Sequence, residues 1–204
     1  MIGLKRGTVA LLPRQKEWSE NAENTVELLK QLLGDTAVDI QHIGSTAVGS
    51  IHAKPIIDIA VAVRNLDDIS PYIEALKRHN IIFRGEVVAG EALFVMGDND
   101  TRTHHIHVVK RNGTEWNNYI NFRDYLNAFP EKAAAYDACK QNLAARFSND
   151  RKSYTAGKEE IIRRLLAEAA IWRSESANLQ RRNIEKNIEE KYYEQNKSSV
   201  YLRP

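Results

Sequence analysis

The sequence is short of several things, and each shortage excludes something. It has one cysteine, Cys139. A single thiol cannot form an internal disulfide, so nothing calls for an oxidising compartment. Cys139 lies inside a helical pattern without an activating neighbour and is expected to be a small buried filler. No apolar run approaches the roughly 20 residues that span a bilayer. The run behind Lys5 and Arg6, Thr8 to Leu12, ends at Pro13 and is too short for a signal-peptide core. A soluble, cytoplasmic protein with no membrane partner is expected. Charge of one sign is also scarce. With 29 basic and 27 acidic residues the net charge is only +2, which argues against nucleic acid as a partner.

Hydrophobic residues, by contrast, make up 43% of the 204, enough for a folded domain with a real core. Thr8 to Leu12 reads as a short strand. Pro13 can open a helix to Leu33, with Trp18, Ala22, Val26, Leu29 and Leu33 on one face. Ala37 to Ile43 is an apolar run. After Gly44-Ser45 and a short segment, a second run to Val63 carries Asp58. Ser70-Pro71 leads into a short helix. Ile81 to Val88, Ala92 to Met96 and His104 to Lys110 read as strands, the last two joined by the turn formers Gly97-Asp98-Asn99-Asp100. The link from Ile43 to Ile57 is too short for an ordinary crossover helix, so a mixed sheet is expected. Beyond Gly113 the pattern is helical: Trp116 to Ala128, Pro130 to Phe147, and Ser153 to about Arg173.

The fold class is therefore α+β, a small mixed sheet flanked by helices and followed by a helical C-terminal half. One domain, 1–173, has a sheet part (8–111) and a helical part (115–173), and a charged helical extension (174–204) follows it. There Leu179, Ile184, Ile188 and Tyr192 make a thin apolar stripe. It suits a solvated helix that frays at Asn196 to Ser199, or a self-association surface.

The chemistry concentrates in two stretches, His42 to Val48 and Lys54 to Val63. Gly44 lets backbone approach a ligand. Ser45 can cap the helix behind it and donate to a phosphate oxygen, and free amides at that helix start favour an anion. Asp58 sits in a strand apolar on both faces. A carboxylate there is costly unless it meets a metal, a cation or a donor; Lys54 is one such partner. His105 and His107 share a strand face, and His104 should point away. Imidazole suits Zn²⁺ or Mn²⁺ better than Mg²⁺; the pair could instead bind phosphate or shuttle a proton. Arg102 could reach a phosphate. His42 is expected to orient the Gly-Ser turn through a backbone hydrogen bond, and Arg123 to pair with Asp124 or Glu115.

Five blocks in order then carry a resemblance: His42 to Val48, Lys54 to Ile59, His104 to Val108, Phe122 to Leu126, and Tyr136 with Lys140. Together they resemble the GrpB-like family, over about Val9 to Trp172. Gly44-Ser45, twelve residues, then Asp58 is similar to the signature of the nucleotidyltransferase (polymerase-beta-like) superfamily. The resemblance implies a sheet of nucleotidyltransferase type. It also implies a nucleoside triphosphate as substrate, and transfer of its nucleoside monophosphate to an unidentified acceptor. Gly44 and Ser45 would hold the phosphates, and Asp58 a divalent metal cofactor, Mg²⁺ or Mn²⁺ with Zn²⁺ as the alternative.

That superfamily's strand usually carries a second carboxylate two residues on, where this chain has Ala60. The histidine strand takes the place of a third carboxylate, so His105 and His107 join Asp58 as catalytic and metal-holding candidates. Lys140, Tyr154 and Lys158 match, by order, a helical Lys and Tyr that grip the triphosphate. Glu86, Glu91 or Asp98 could replace the missing carboxylate. Ala60 leaves two alternatives open: a nucleotide-binding protein without catalysis, or a metal-dependent phosphohydrolase using Asp58 and the histidines. GrpB-like domains also occur joined to dephospho-CoA kinase, which implies a link to coenzyme A metabolism.

Overall fold

Six strands build one sheet in the computed structural model, which describes residues 1–200. They are β1 (Leu4–Lys5), β2 (Asp39–Ile43), β3 (Ile57–Val63), β4 (Ile82–Val88), β5 (Glu91–Gly97) and β6 (Thr101–Lys110). Their order is β2-β3-β6-β5-β4, with β1 beside β6. β3 and β6 run parallel and every other pair is antiparallel, so the sheet is mixed. The first strand differs from expectation. Leu4 and Lys5 pair with Arg102 and Thr101, and Gly7, at φ +85°, then turns the chain. Of the run Thr8 to Leu12, Val9 is buried and only Leu12 makes a bridge, to Ala53. Its apolar character serves burial rather than pairing.

One sheet face carries Ile57, Ile59, Val61, Phe94, Ile106 and Val108 into the main core. Helix α1 (Lys16–Leu33) covers it with Trp18, Ala22, Leu29 and Leu33, joined by Leu76 of α2 (Ile73–Arg78). Thr25 is buried where Val26 was expected, and its hydroxyl lies 3.2 Å from His104 Nε2. Val26 packs at the rim. The other face is smaller. Ile43, Ala60, Ala62 and Val109 meet Trp116 of α3 (Thr114–Ala128). Asp58, His105 and His107 stand on this second face, which α3 only partly covers.

Among the described residues no strand follows Lys110. Helices α4 (Pro130–Arg146), α5 (Arg151–Gly157) and α6 (Glu159–Val200) complete the chain. They close a second core of Val48, Ile51, Leu126, Tyr136, Leu165 and Ala169. The helix expected from Ser153 through Arg173 is broken. At Gly157 a Cβ would stand 2.5 Å from Leu143 Cδ2, so α5 packs directly on α4 and the chain turns at Lys158. Cys139 is half-buried rather than buried. Arg173 anchors α6 to α3 through Asn121 (2.9 Å) and Asp124. Beyond it Leu179, Ile184 and Ile188 are exposed, and the backbone stays helical through Val200, across the stretch where fraying was expected. The side chain of Tyr192 lies outside the described residues. No described helix is long and apolar enough to cross a membrane.

Candidate functional site

Parallel pairing of β3 with β6 sets Asp58 beside His105 and Ala60 beside His107. His105 Nδ1–H donates to Asp58 Oδ1 at 3.0 Å, and His107 Nε2 lies 3.6 Å from the same oxygen. The other nitrogen of His107, Nδ1, donates to Glu91 Oε1 at 2.8 Å, and the Tyr119 hydroxyl donates to Glu91 Oε2. Of the three carboxylates weighed as replacements, Glu91 is thus the one at the site. It reaches the centre through His107. Glu86 accepts from the Gly90 amide in its own turn, and Asp98 accepts from the amides of Asp100 and Thr101.

The electrostatics follow from these contacts. Burial would raise the Asp58 pKa, but the bonds from His105 and His107 outweigh it and hold the carboxyl well below its usual range. Burial would lower His107, but Asp58 and Glu91 together raise it to about 9. The two carboxylates favour the protonated form of His107, and its Nε2 would have to give up that proton to hold a metal. Burial, then the bond to Glu91, keeps Tyr119 protonated far above its ordinary value.

Asp58, His105 and His107 each offer one ligand atom, all within 4.8 Å of one another. Two imidazoles and a carboxylate suit a divalent ion of borderline softness. A ligating imidazole normally donates its second nitrogen to an outer carboxylate, the place Glu91 occupies. On donor chemistry these residues fit a metal.

Gly44, Ser45, Asp58 and His105 line a pocket of about 180 Å³ together with Lys54, Lys140, Tyr154 and Lys158. The ammonium groups of Lys54 and Lys158 lie 5.6 and 4.7 Å from the centroid of the Tyr154 ring. Among the described residues neither lysine has a carboxylate oxygen within 4.0 Å. Burial lowers Lys54 to about 8 and also lowers Lys158. Lys140, lowered to about 8 by burial, is already engaged: it donates to the His52 carbonyl and sits 3.5 Å from Asp137. Two poorly solvated, unpaired cations beside a hydroxyl and a glycine make a place for an anion.

The turn itself departs from expectation. Ser45 caps nothing. It opens a single 3₁₀ turn, Ser45–Ala47, preceded by Gly44 at φ +69°, with no side-chain cap bond. Its side chain faces the pocket instead. His42 bonds the Thr46 hydroxyl, at 2.9 Å, rather than backbone. Burial lowers its pKa to about 4 and keeps it neutral. Arg123 pairs with Asp124 as expected, and also donates to the His42 carbonyl at 2.9 Å.

Arg102 is not in this pocket. A register shift between Met96 and Gly97 and its place at the start of β6 carry it past Lys54 and Ile56, where Nη1 donates to the Asp98 carbonyl at 3.1 Å. His104 points to the other sheet face, as expected. The sequence marks Lys54 only as a partner for Asp58 and gives no sign that Phe122 and Tyr119 line the site. The signal for Lys54 was available: Lys54, Ile56 and Asp58 all line the pocket at a spacing of two.

The arrangement defines a class: an α+β domain whose mixed sheet sets a Gly-Ser turn against a strand carboxylate. The chain belongs to the GrpB family, whose model, described as GrpB protein, matches residues 8–168. It is 38% identical over 173 residues to the glutamate-rich protein GrpB of Alkalihalophilus pseudofirmus, covering 82% of this chain and 99% of that one. It is similar to the crystal structure of conserved protein GrpB from Enterococcus faecalis, at 30% identity and TM-score 0.74, covering 78% of this chain and 96% of that one. A dephospho-CoA kinase of Mycolicibacterium paratuberculosis is 27% identical over 194 residues, covering 83% of this chain and 48% of that protein. A structure of Cid1 poly(U) polymerase with Mg 3'-dATP is a distant likeness, at 14% identity and TM-score 0.46, covering 72% of this chain and 49% of that one.

Proposed function

We propose that the protein transfers a nucleoside monophosphate from a nucleoside triphosphate to an acceptor hydroxyl, with a divalent metal. The observation that carries this reading is that one pocket holds both the Asp58–His105 pair and the unpaired Lys54 and Lys158. Lys54, Lys158 and the Ser45 hydroxyl bind the phosphates, and Gly44 lets the turn lie against Asp58. Asp58, His105 and His107 would hold the metal, which when bound neutralises phosphate charge and polarises the reacting phosphoryl group. Glu91 and Tyr119 orient His107. In the reaction the acceptor oxygen bonds the α-phosphorus and passes its proton to water, the bridging bond to the β-phosphate breaks, and pyrophosphate leaves.

A pocket of about 180 Å³ suits phosphates rather than a whole nucleotide. An apolar cleft of about 380 Å³ adjoins it at Gly44 and Phe122, walled by Tyr119, Ile162 and Leu166, and takes the nucleoside. The dephospho-CoA kinase relative makes a precursor of coenzyme A one acceptor class to try. In this reading the protein works in the cytoplasm, where nucleoside triphosphates are at hand.

Ala60 favours a second reading, binding without turnover. Its register partner is His107, an imidazole where the superfamily sets a carboxylate. Incubation with each triphosphate, Mg²⁺ or Mn²⁺ and a panel of acceptor hydroxyls separates the cases. Pyrophosphate release that needs an acceptor supports transfer. Binding without turnover supports the second reading. Orthophosphate release supports hydrolysis and contradicts the proposal.

A further inference from the structure

The cations of this chain do not stop at the phosphate pocket. Lys54 and Ile56 form one wall of it and also one wall of a narrow crevice on the far side. The crevice is lined by Lys5, Arg6, Arg102 and Arg151. Arg102 then borders a hollow of about 340 Å³ with Asn80, Arg84 and the Asp98–Asn99 turn. Arg102 is 8% exposed, and its Nη1 donates to the Asp98 carbonyl while its remaining donors reach solvent. Among the described residues none of Arg6, Arg84, Arg102 and Arg151 has a carboxylate within 4.0 Å, whereas Arg111, Arg123, Arg163 and Arg173 are all paired. Burial, then the charges of Arg84, Arg6 and Arg151, press the Arg102 pKa down. The one carboxylate in the hollow, Asp98, is turned to the amides of Asp100 and Thr101 at 2.8 and 2.6 Å.

Like charges gathered around a buried guanidinium are unfavourable unless an anion joins them. We infer that Arg102, with Arg84 and Asn80 around it, forms a second anion subsite that takes the phosphate of a small phosphate ester. Guanidinium forks match phosphate oxygens in a way that surface lysines do not. Lys54 stands between the two sites, but the crevice it walls has no room for a ligand, so the two sites take separate anions. The subsite does not rest on the transfer reading.

The test is a titration of the full chain with inorganic phosphate at constant ionic strength, followed by NMR of backbone amides. Shifts at Asn99 to Thr101 report the subsite, and shifts at Ser45 to Ala47 report the metal-side pocket. Saturable shifts at Asn99 to Thr101 are expected at millimolar phosphate. Arg102→Met should weaken them at least ten-fold and leave the Ser45 to Ala47 shifts alone. Arg84→Gln, on an exposed side chain, should weaken them several-fold and serves where Arg102→Met does not fold. Absence of saturable shifts at Asn99 to Thr101, or shifts that survive Arg84→Gln and Arg102→Met unchanged, overturns the inference. Loss of metal–nucleotide binding at Asp58 would instead bear on the transfer reading.

Discussion

Gly44 lies directly against the carboxylate of Asp58. A Cβ on residue 44 would stand 2.5 Å from Asp58 Oδ2 and 3.0 Å from Asp58 Cβ. Ile43 is the register partner of Asp58 across the antiparallel β2–β3 pair. One residue later the chain leaves β2 at φ +69° and passes over the acid. The turn therefore closes one side of Asp58, while His105 and His107 take the other oxygen. The proposed phosphate pocket and metal centre are positioned by the same contact.

Gly44→Ala should therefore both strain the backbone and displace the carboxylate. A non-glycine residue at such a φ costs about 1–3 kcal/mol. The midpoint of thermal unfolding should fall by about 2–4 °C for each kcal/mol. Divalent-metal affinity should fall with it. A variant with wild-type midpoint and metal affinity would show that the turn does not position Asp58.

Glu91→Gln removes an outer carboxylate and leaves every proposed ligand in place. Outer partners of ligating imidazoles are worth about 10–100-fold in metal affinity. Calorimetric titration with Mn²⁺ should show a loss in that range, with a smaller loss for Tyr119→Phe. Equal affinities for wild type and Glu91→Gln would remove His107 from the metal site.

The buried lysines give a pH dependence with a defined sign. Lys54 and Lys140 have folded pKa values of about 8, below the ordinary 10.5. Between about 8 and 10.5 the unfolded chain holds more protons than the folded one, so these two groups make stability rise with pH across that window. Anion binding goes the other way, because it uses the ammonium form. Pyrophosphate affinity should drop as pH climbs through 8. An affinity flat from pH 7 to 9.5 would show that Lys54 does not touch the anion.

Deleting residues 175–204 should leave the fold intact. Among the described residues the last anchored side chain on α6 is Arg173, and the apolar residues Leu179, Ile184 and Ile188 beyond it are exposed. The expected change in unfolding midpoint is under about 4 °C, about 1 kcal/mol for a chain of this size. A larger fall, or a change from oligomer to monomer in sedimentation, would give the extension a structural or self-association role.

Much of this was legible because period-two alternation is a strong signal in a buried strand. It put Asp58 in a strand apolar on both faces, and His105 and His107 on the face away from His104. The mixed sheet followed from one short connection. What the sequence hid was set by long-range geometry. Only the β3–β6 register shows that His107 faces Ala60, and only the β5–β6 pairing brings Glu91 to His107. Arg102, placed before the histidine strand and expected to reach a phosphate, lines a neighbouring crevice instead, beside a register shift that the sequence does not show. Gly157 gave no sign in the helical pattern that it would stop α5 and leave Lys158 at the pocket wall, because the reason is its contact with Leu143.

The central claim is that Asp58 and the unpaired lysines form one metal-dependent nucleotide site. Calorimetry with ATP, GTP, CTP and UTP, each with and without Mg²⁺ or Mn²⁺, tests it most directly on wild type, Asp58→Asn and Lys158→Met. The account predicts metal-dependent binding of at least one triphosphate. Asp58→Asn should abolish the metal dependence, and Lys158→Met should weaken binding both with and without metal. A folded protein that binds no triphosphate at millimolar concentration, or binds one equally well in all three forms, would contradict it.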